Sequence, residues 1–426
     1  MAYEMHMTPK VQQNSDKFRT KFHLIELELN SILEITQAIN NNMPEDALYM
    51  MYKFTLRANL NIEKLAMYVL EDTETWQCKV NFGTEANFMH IPLEYHHISQ
   101  LRDMVSTDDY TFQNPAFGEF DLIIPVFHKD RVLAYVFMEN KGGVIQDLEK
   151  QLDTRFVQTL SNVIIVAVEN KKLVRRQLRQ EAYKKEMDIA GRVQAGLFPK
   201  ALPYTDDLQV EASYFPHDLV GGDYYDYLPL ADGSFLFCIA DVSGKGIPAA
   251  LLMSNFQASL RTLARQTQDL KQIVQELNYL IYQNSGGDHF ITFLLAKYDR
   301  YNRSLSYVNA GHNPGFLFAK HQEDPIALDK GTTVLGAFHP LPFLEETTIE
   351  TLNDFLLVAY TDGITELRNP QGEEFGLDRL LDFMQTQRQD TLSALHQNLI
   401  QTINAFKQSC EYVDDITLLS CRVINQ

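Results

Sequence analysis

The stretch FCIADVSGKGIPAALLM, Phe237 to Met253, joins two kinds of structure at one acid. An apolar run of strand-forming character ends on a carboxylate, Asp241. Gly244, Lys245 and Gly246 follow, and Pro248 opens a run of good helix formers. Proline in the first turn followed by Ala and Leu predicts a helix over 248–265. A buried-looking strand, a glycine-bearing turn and a helix therefore meet at Asp241. Aspartate beside glycine is ordinary turn chemistry, so Asp241 by itself is either a turn residue or a functional group.

Three further places repeat the pattern. Asp223 in LVGGDYYDY precedes a strand predicted over 224–230, and Asp362 in YTDGITE follows one that starts at Phe355. Asp414 and Asp415 in DDITLL stand directly before a last strand over 416–423. Asp232-Gly233 shows the plain alternative, a hairpin turn between two strands. The others abut long apolar strands that must be buried, and carboxylates gathered at one sheet edge repel unless cations neutralise them. Carboxylate and carbonyl oxygens suit hard ions such as Mg²⁺ or Mn²⁺. Competing chemistries lack their residues. There is no HExxH or CxxC for zinc, and His96-His97 lies in another part of the chain. SGKG lacks the spacing of a P-loop, and Ser243 lacks the GxSxG elbow of a nucleophile. The pattern predicts a two-metal carboxylate site that directs water at a phosphoryl group.

At 426 residues the chain exceeds one ordinary core, so two domains are expected. Its 45% hydrophobic and 22% charged residues are normal for a globular protein. A net charge of −19 argues against a nucleic-acid partner and against an anionic membrane surface. Cys78, Cys238, Cys410 and Cys421 show no disulfide-like spacing, which predicts a reducing, cytoplasmic setting. The longest aliphatic run, Val163 to Val168, is far too short to cross a membrane, and the N-terminus has no signal-peptide pattern.

Residues 1–21 are polar and predict a loose arm. Apolar residues at helical spacing then predict helices over 22–40 and 45–58. Strands follow at 64–70, 75–81, 120–127 and 132–139, with a closing helix over 148–170. This order describes a small α+β domain over 22–170. From 171 to 199 a linker carries Lys171, Lys172, Arg175, Arg176, Arg179, Lys184 and Lys185 against Glu181 and Glu186. No Gly or Pro interrupts 171–187, so the helix continues. It is either a solvated connector or a signalling helix that pairs with its copy; the seam of Leu173, Leu178, Ala182 and Ile189 does not choose between them. Pro199 and Pro203 are expected to end it. The second domain, 200–426, has adjacent strands joined by short turns and helices arriving in pairs, which predicts antiparallel sheets covered by helices.

LVGGDYYDY, IADVSGKGIPAALLM, YVNAGHNPGFLF, YTDGITE, EEFGLDRL and DDITLL occur in this order between Leu219 and Leu419. The set resembles the SpoIIE-type (RsbU-like) branch of the PPM metal-dependent serine/threonine protein phosphatases. The resemblance implies an α+β fold of two antiparallel β-sheets sandwiched between helix pairs. It implies two Mn²⁺ or Mg²⁺ ions, with Asp223 and Asp241 bridging or flanking them and the Val242 backbone carbonyl completing one sphere. Asp362 and Asp414 correspond to the later acids on the other ion, with Asp415 as second choice. A metal-activated water would then be the nucleophile, with no phospho-enzyme intermediate. Gly244 gives room for a phosphate. Lys245 either reaches phosphate or is a solvent-facing turn lysine, and His312 either shapes the site or is structural. His217 and Asp218, in FPHDLVGGD, depart from the Pro-Ala usual there and add polar groups at the mouth.

The N-terminal block resembles a GAF sensory domain through its opening helix, LAMYVLED, LIIPVFHKDRVLAYVFMENK and the closing helix. Asn140-Lys141 matches part of a pattern of nucleotide-binding members, but its Phe and Asp-Glu are missing, so cyclic-nucleotide binding is not implied. The aromatic residues of this block are expected in its core. Together the resemblances imply a bacterial signalling phosphatase, a homodimer acting on a phosphoserine or phosphothreonine of a STAS-type anti-sigma factor antagonist. An unknown small ligand or protein at the GAF-like domain would regulate it. The alternatives are a sensory scaffold that binds its partner without turnover, and a two-metal nuclease, which suits the acidic charge poorly.

Overall fold

The computed structural model describes residues 9–59, 62–71, 75–93, 101–139, 148–320 and 322–424. His96, His97, Asn140 and Lys141 lie outside them. The chain divides into two compact units, Met1–Gln180 and Glu181–Gln426. None of the described helices is long and apolar enough to cross a membrane.

In the first unit, α1 (Pro9–Asn40) and α2 (Glu45–Asn59) precede β1 (Leu65–Leu70), β2 (Trp76–Phe82), β3 (Val105–Ser106), β4 (Leu122–His128) and β5 (Arg131–Met138). Helix α3 (Leu148–Ala195) begins in this unit, and its residues from Glu181 belong to the second. The strands form one antiparallel sheet in the order β2-β1-β5-β4-β3. Alternation on β1 sends Leu65, Met67 and Val69 into a core with Ile35, Leu48, Tyr52, Leu160 and Ile164 of the helices. Tyr68 faces the other way, into a cluster with Phe88, Phe117, Phe120 and Phe137. Those aromatics are core, as expected.

Two boundaries differ from expectation. Helix α1 starts at Pro9, so the segment expected to be a loose arm is helical from there. Proline fits the first turn, where its missing N–H costs nothing, and no Gly or Pro follows before Asn40. Helix α3 ends at Ala195, four residues before Pro199. Gly196 and Leu197 close the end with bonds to the Val193 and Gln194 carbonyls, and Phe198 turns inward onto Tyr214 and Tyr225.

The second unit contains β6 (Leu208–Phe215), β7 (Tyr224–Pro229), β8 (Phe235–Val242), α4 (Gly246–Gln266), α5 (Leu270–Ser285), β9 (Ile291–Asp299) and β10 (Ser304–Ala310). Next come β11 (Gly315–Ala319), β12 (Ile326–Leu328), β13 (Gly331–Thr332), β14 (Thr347–Ile349) and β15 (Phe355–Tyr360). Then α6 (Asp362–Thr365), α7 (Gly376–Gln387), α8 (Leu392–Lys407) and β16 (Ile416–Val423) complete it. One sheet runs β13-β10-β9-β8-β7, with β14 on β10, and the other β12-β11-β15-β16-β6. Among the described residues, only the two-residue β10–β13 pairing is parallel. Phe235, Phe237 and Ile239 of β8 meet Leu357, Ala359, Leu419 and Cys421 between the sheets. Leu236, Cys238 and Ala240 face α4 and α5, while Leu356, Val358 and Leu418 face α7 and α8. The result is the expected sandwich of two sheets between helix pairs. Each large apolar side chain buried there contributes about 1.5–3 kcal/mol. Strands β12 to β14 and the single turn α6 escape sequence reading because two to four residues are too few to show a repeating pattern.

Candidate active site

The same alternation that builds the core builds the site. On β8 the inward positions are Phe235, Phe237 and Ile239, and the next is Asp241. Asp241 therefore lies inside the strand, paired with Thr292, and not just beyond its end as the sequence suggested. The β7–β8 register pairs Tyr224 with Ala240, which brings Asp223 opposite Asp241. On the facing sheet, the inward series Leu357, Ala359 continues to Thr361, and Cys421, Leu419 continues to Thr417 and Asp415. Both sheets thus aim polar residues into the gap at the same end of the sandwich.

There Asp223, only 1% exposed, accepts hydrogen bonds from Thr361 Oγ1 at 2.9 Å and Thr417 Oγ1 at 2.5 Å. Asp415 accepts the His217 amide on Oδ1 and the Gly222 amide on Oδ2, both at 2.7 Å. This fixes the loop that carries Asp223. Asp362 is half-buried at the start of α6. Asp414 is also half-exposed; its Oδ1 accepts the Asp415 amide and its Oδ2 faces Lys245 Nζ at 2.9 Å. The Val242 carbonyl lies close to Gly222, where an added Cβ would come within 2.9 Å of it. Gly244 is exposed in the turn after β8, and positive φ values of 93° there and 70° at Gly246 explain why glycine is needed. Asp415, the second choice from sequence, is the member that grips the Asp223 loop, whereas Asp414 stands at the rim.

Electrostatics single out the Asp223–Asp241 pair. Burial, then the charge of Asp241, pushes Asp223 well above the usual carboxylate range, against the pull of the threonine hydroxyls. Burial, then the charges of Asp362, Asp414 and Asp415, pushes Asp241 up to about 7, while its hydrogen bond with Asp223 opposes the shift. Burial, then Glu366 and Asp414, also raises Asp362, with Lys245 pulling the other way. Both carboxyls of the pair are thus pushed toward the protonated form. A carboxyl raised in the folded state stabilises the fold fully below its unfolded value, and that contribution is lost as pH rises through the folded value. Protein kept in chelator is therefore expected to lose thermal stability as pH climbs from about 4 to above 7. Added Mn²⁺ should restore it at the alkaline end. A melting temperature flat across that window, with or without Mn²⁺, would contradict this electrostatic account.

The donor set is all oxygen, which fits Mg²⁺ or Mn²⁺ and not a soft ion. The buried carboxyl pair, pushed to hold a proton, is what a divalent ion would relieve. Among the described residues, no three His, Cys, Asp or Glu side chains are already grouped tightly enough to cage an ion. Asp362, Asp414 and Asp415 lie near enough to Asp241 for their charges to act on it, and the Val242 carbonyl lies beside Gly222.

Several participants were not singled out from sequence. Thr361 and Thr417 are among them; the available signal was a polar residue on the inward parity of a buried strand. Gln194 of α3 is another. Its Nε2 donates to the Gly221 carbonyl at 2.7 Å and its Oε1 accepts the Gly221 amide at 3.1 Å, two residues from Asp223. His312 is buried behind the site. Its Nδ1 lies 2.8 Å from Thr292 Oγ1, its amide donates to Asn309 Oδ1, and burial pushes its pKa down to about 4. It is thus a neutral supporting residue behind the strand pair of Asp241.

The layered sandwich and its acid-lined end define a PPM-type phosphatase domain. Residues 231–424 match the family model described as Stage II sporulation protein E (SpoIIE). Phosphoserine phosphatase RsbU of Bacillus subtilis is 30% identical over 246 residues, which cover 57% of this chain and 71% of that protein. Phosphoserine phosphatase RsbP of the same organism is 22% identical over 236 residues, covering 54% of this chain and 56% of that one. The structure of the SiaA-PP2C domain of Pseudomonas aeruginosa aligns with a TM-score of 0.51 at 21% identity, covering 57% of this chain and 98% of that domain, a likeness of fold. The chain belongs to the SpoIIE-type, RsbU-like family of PPM serine/threonine phosphatases.

Proposed function

We propose that the chain removes phosphate from a phosphoserine or phosphothreonine of a partner protein, with a STAS-type anti-sigma factor antagonist as the favoured partner. The observation that carries this reading is the convergence of Asp223, Asp362, Asp414 and Asp415 around Asp241, which feels the charges of the last three and a hydrogen bond from the first. Two Mn²⁺ or Mg²⁺ ions held there would lower the pKa of a water and neutralise phosphoryl oxygens. The chain's own contribution is positioning. Thr361 and Thr417 orient Asp223, and Asp415 pins the Gly222 amide. Cations held there would offset the charge that burial and neighbouring acids disfavour on the Asp223–Asp241 pair. The exposed turn at Gly244 leaves the approach open to a phosphorylated side chain. His217 and Asp218, exposed beside the acids, are placed to select the partner. Full-length protein is expected to release phosphate from the phosphorylated STAS proteins of its host only with Mn²⁺ or Mg²⁺. Failure to hydrolyse either those proteins or an aryl phosphate would sink the proposal.

The first unit, in this reading, is a GAF-like sensory domain that sets the rate within a homodimer in the cytoplasm. Free Cys78, Cys238, Cys410 and Cys421 suit a reducing setting. Leu173, Val174, Leu178 and Ile189 stand exposed on α3, a surface suited to a second copy. Gln194, on the same helix, holds the backbone of the Asp223 loop from both sides of Gly221. Removing residues 1–170 is expected to change the phosphatase rate or the mass in solution. If neither changes, 171–199 is a spacer.

A further inference from the structure

We propose that Lys245 is a tethered counter-ion of Asp414 that a divalent cation must displace, so that this lysine sets the ion concentration at which the site fills. The inference rests on the metal reading above. Lys245 Nζ lies 2.9 Å from Asp414 Oδ2 and 2.6 Å from the Val413 carbonyl. The lysine backbone is extended, at φ −135° and ψ 163°, between the two positive-φ glycines 244 and 246. That geometry throws the side chain across from the β8–α4 turn to the loop before β16. One ammonium thus occupies the outward oxygen of Asp414 and a neighbouring carbonyl, two hard-oxygen donors of the kind a divalent ion takes.

Space supports the same reading. A cavity of about 10 Å³ is lined by His217, Gly222, Lys245, Asp414 and Asp415, about the room needed for one water or ion. An ion in it would share its walls with the positive charge of Lys245. Asp414 is the rim member of the acid group, with Oδ2 on Lys245 and Oδ1 on the Asp415 amide. The exchange of one cation for another leaves Asp414 paired in both states, which lets it be half-exposed without an unpaired charge.

The strength of the contact sets the size of the effect. The two side chains are 48% and 44% exposed, and an ion pair of this exposure shifts an equilibrium by up to about fivefold. Removing the like charge beside a divalent ion adds to that. The test is calorimetric titration of Mn²⁺ into full-length protein, comparing the native chain with Lys245→Met and Lys245→Arg. Lys245→Met is expected to bind Mn²⁺ about threefold to tenfold more tightly, and Lys245→Arg, which keeps the charge, to stay within about twofold of the native chain. Equal or weaker binding by Lys245→Met, with normal binding by the native chain, overturns the role of Lys245 alone. Absence of Mn²⁺ binding by all three proteins overturns the metal reading itself and this inference with it. Circular dichroism melting of the same samples confirms that the variants are folded, since the substituted side chain is at the surface.

Discussion

Asp241→Asn is expected to reduce Mn²⁺-dependent phosphate release by about a thousandfold, the effect of losing about 4 kcal/mol of transition-state stabilisation from a displaced ion. The substitution keeps the shape of the side chain and removes only its charge. Asp241 is the group on which the other acids act. It faces Asp223 across β7 and β8, and Asp362, Asp414 and Asp415 all raise its pKa. The same change should have the opposite effect on stability. In chelator near pH 8 the Asp241 carboxylate is disfavoured by burial and by its acidic neighbours and also raises Asp223, and an amide at 241 removes that repulsion. The variant should then melt at a higher temperature than the native chain while failing to turn over. A merely structural aspartate predicts the reverse, lower stability with activity lost only in proportion.

Gly221→Ala is expected to cost at least about a hundredfold in rate, in line with misplacing catalytic groups by an ångström. A Cβ at 221 would stand 2.1 Å from the Tyr214 hydroxyl and 2.2 Å from Asp415 Oδ2. The residue cannot swing aside freely, because Gln194 holds both its amide and its carbonyl. The loop must shift, which pulls the Gly222 amide from Asp415 and moves Asp223. Overpacking of this kind typically costs about 1–3 kcal/mol in stability, so loss of rate should far exceed loss of fold. Gly118→Ala is the control, since a Cβ there meets nothing within 4 Å. Equal activity of Gly221→Ala and Gly118→Ala would show that the close approach at 221 is not needed.

Much of the phosphatase domain was legible because its strands are buried on both faces and bounded by acids and glycines. The strand of Asp241, expected over 234–240, still runs two residues further, to Val242. Pairing of Asp241 with Thr292 and of Val242 with Ile291 continues the ladder after the apolar run has stopped, and hydrogen bonding, not hydrophobicity, decides where a strand ends. Thr361 and Thr417 were hidden for a different reason. As β-branched residues they look like ordinary strand formers, and their shared partner Asp223 is 138 and 194 residues away. Only the packing of two sheets brings them together. The order of Asp414 and Asp415 was unreadable likewise, since adjacent residues on a strand point to opposite sides and the chain alone does not say which is inward. The helical stretch from Pro9 was missed because its polar sequence carries no apolar periodicity, although the absence of breakers was visible.

The central claim is that Asp241 organises a site for divalent cations. Titration of Mn²⁺ into chelator-treated full-length protein near pH 8, followed by calorimetry, tests it most directly. The account predicts saturable binding of two ions by the native chain, accompanied by proton release that grows as pH is lowered toward 7, and loss of at least one ion in Asp241→Asn. No binding by the native chain, or identical binding by Asp241→Asn, would contradict it.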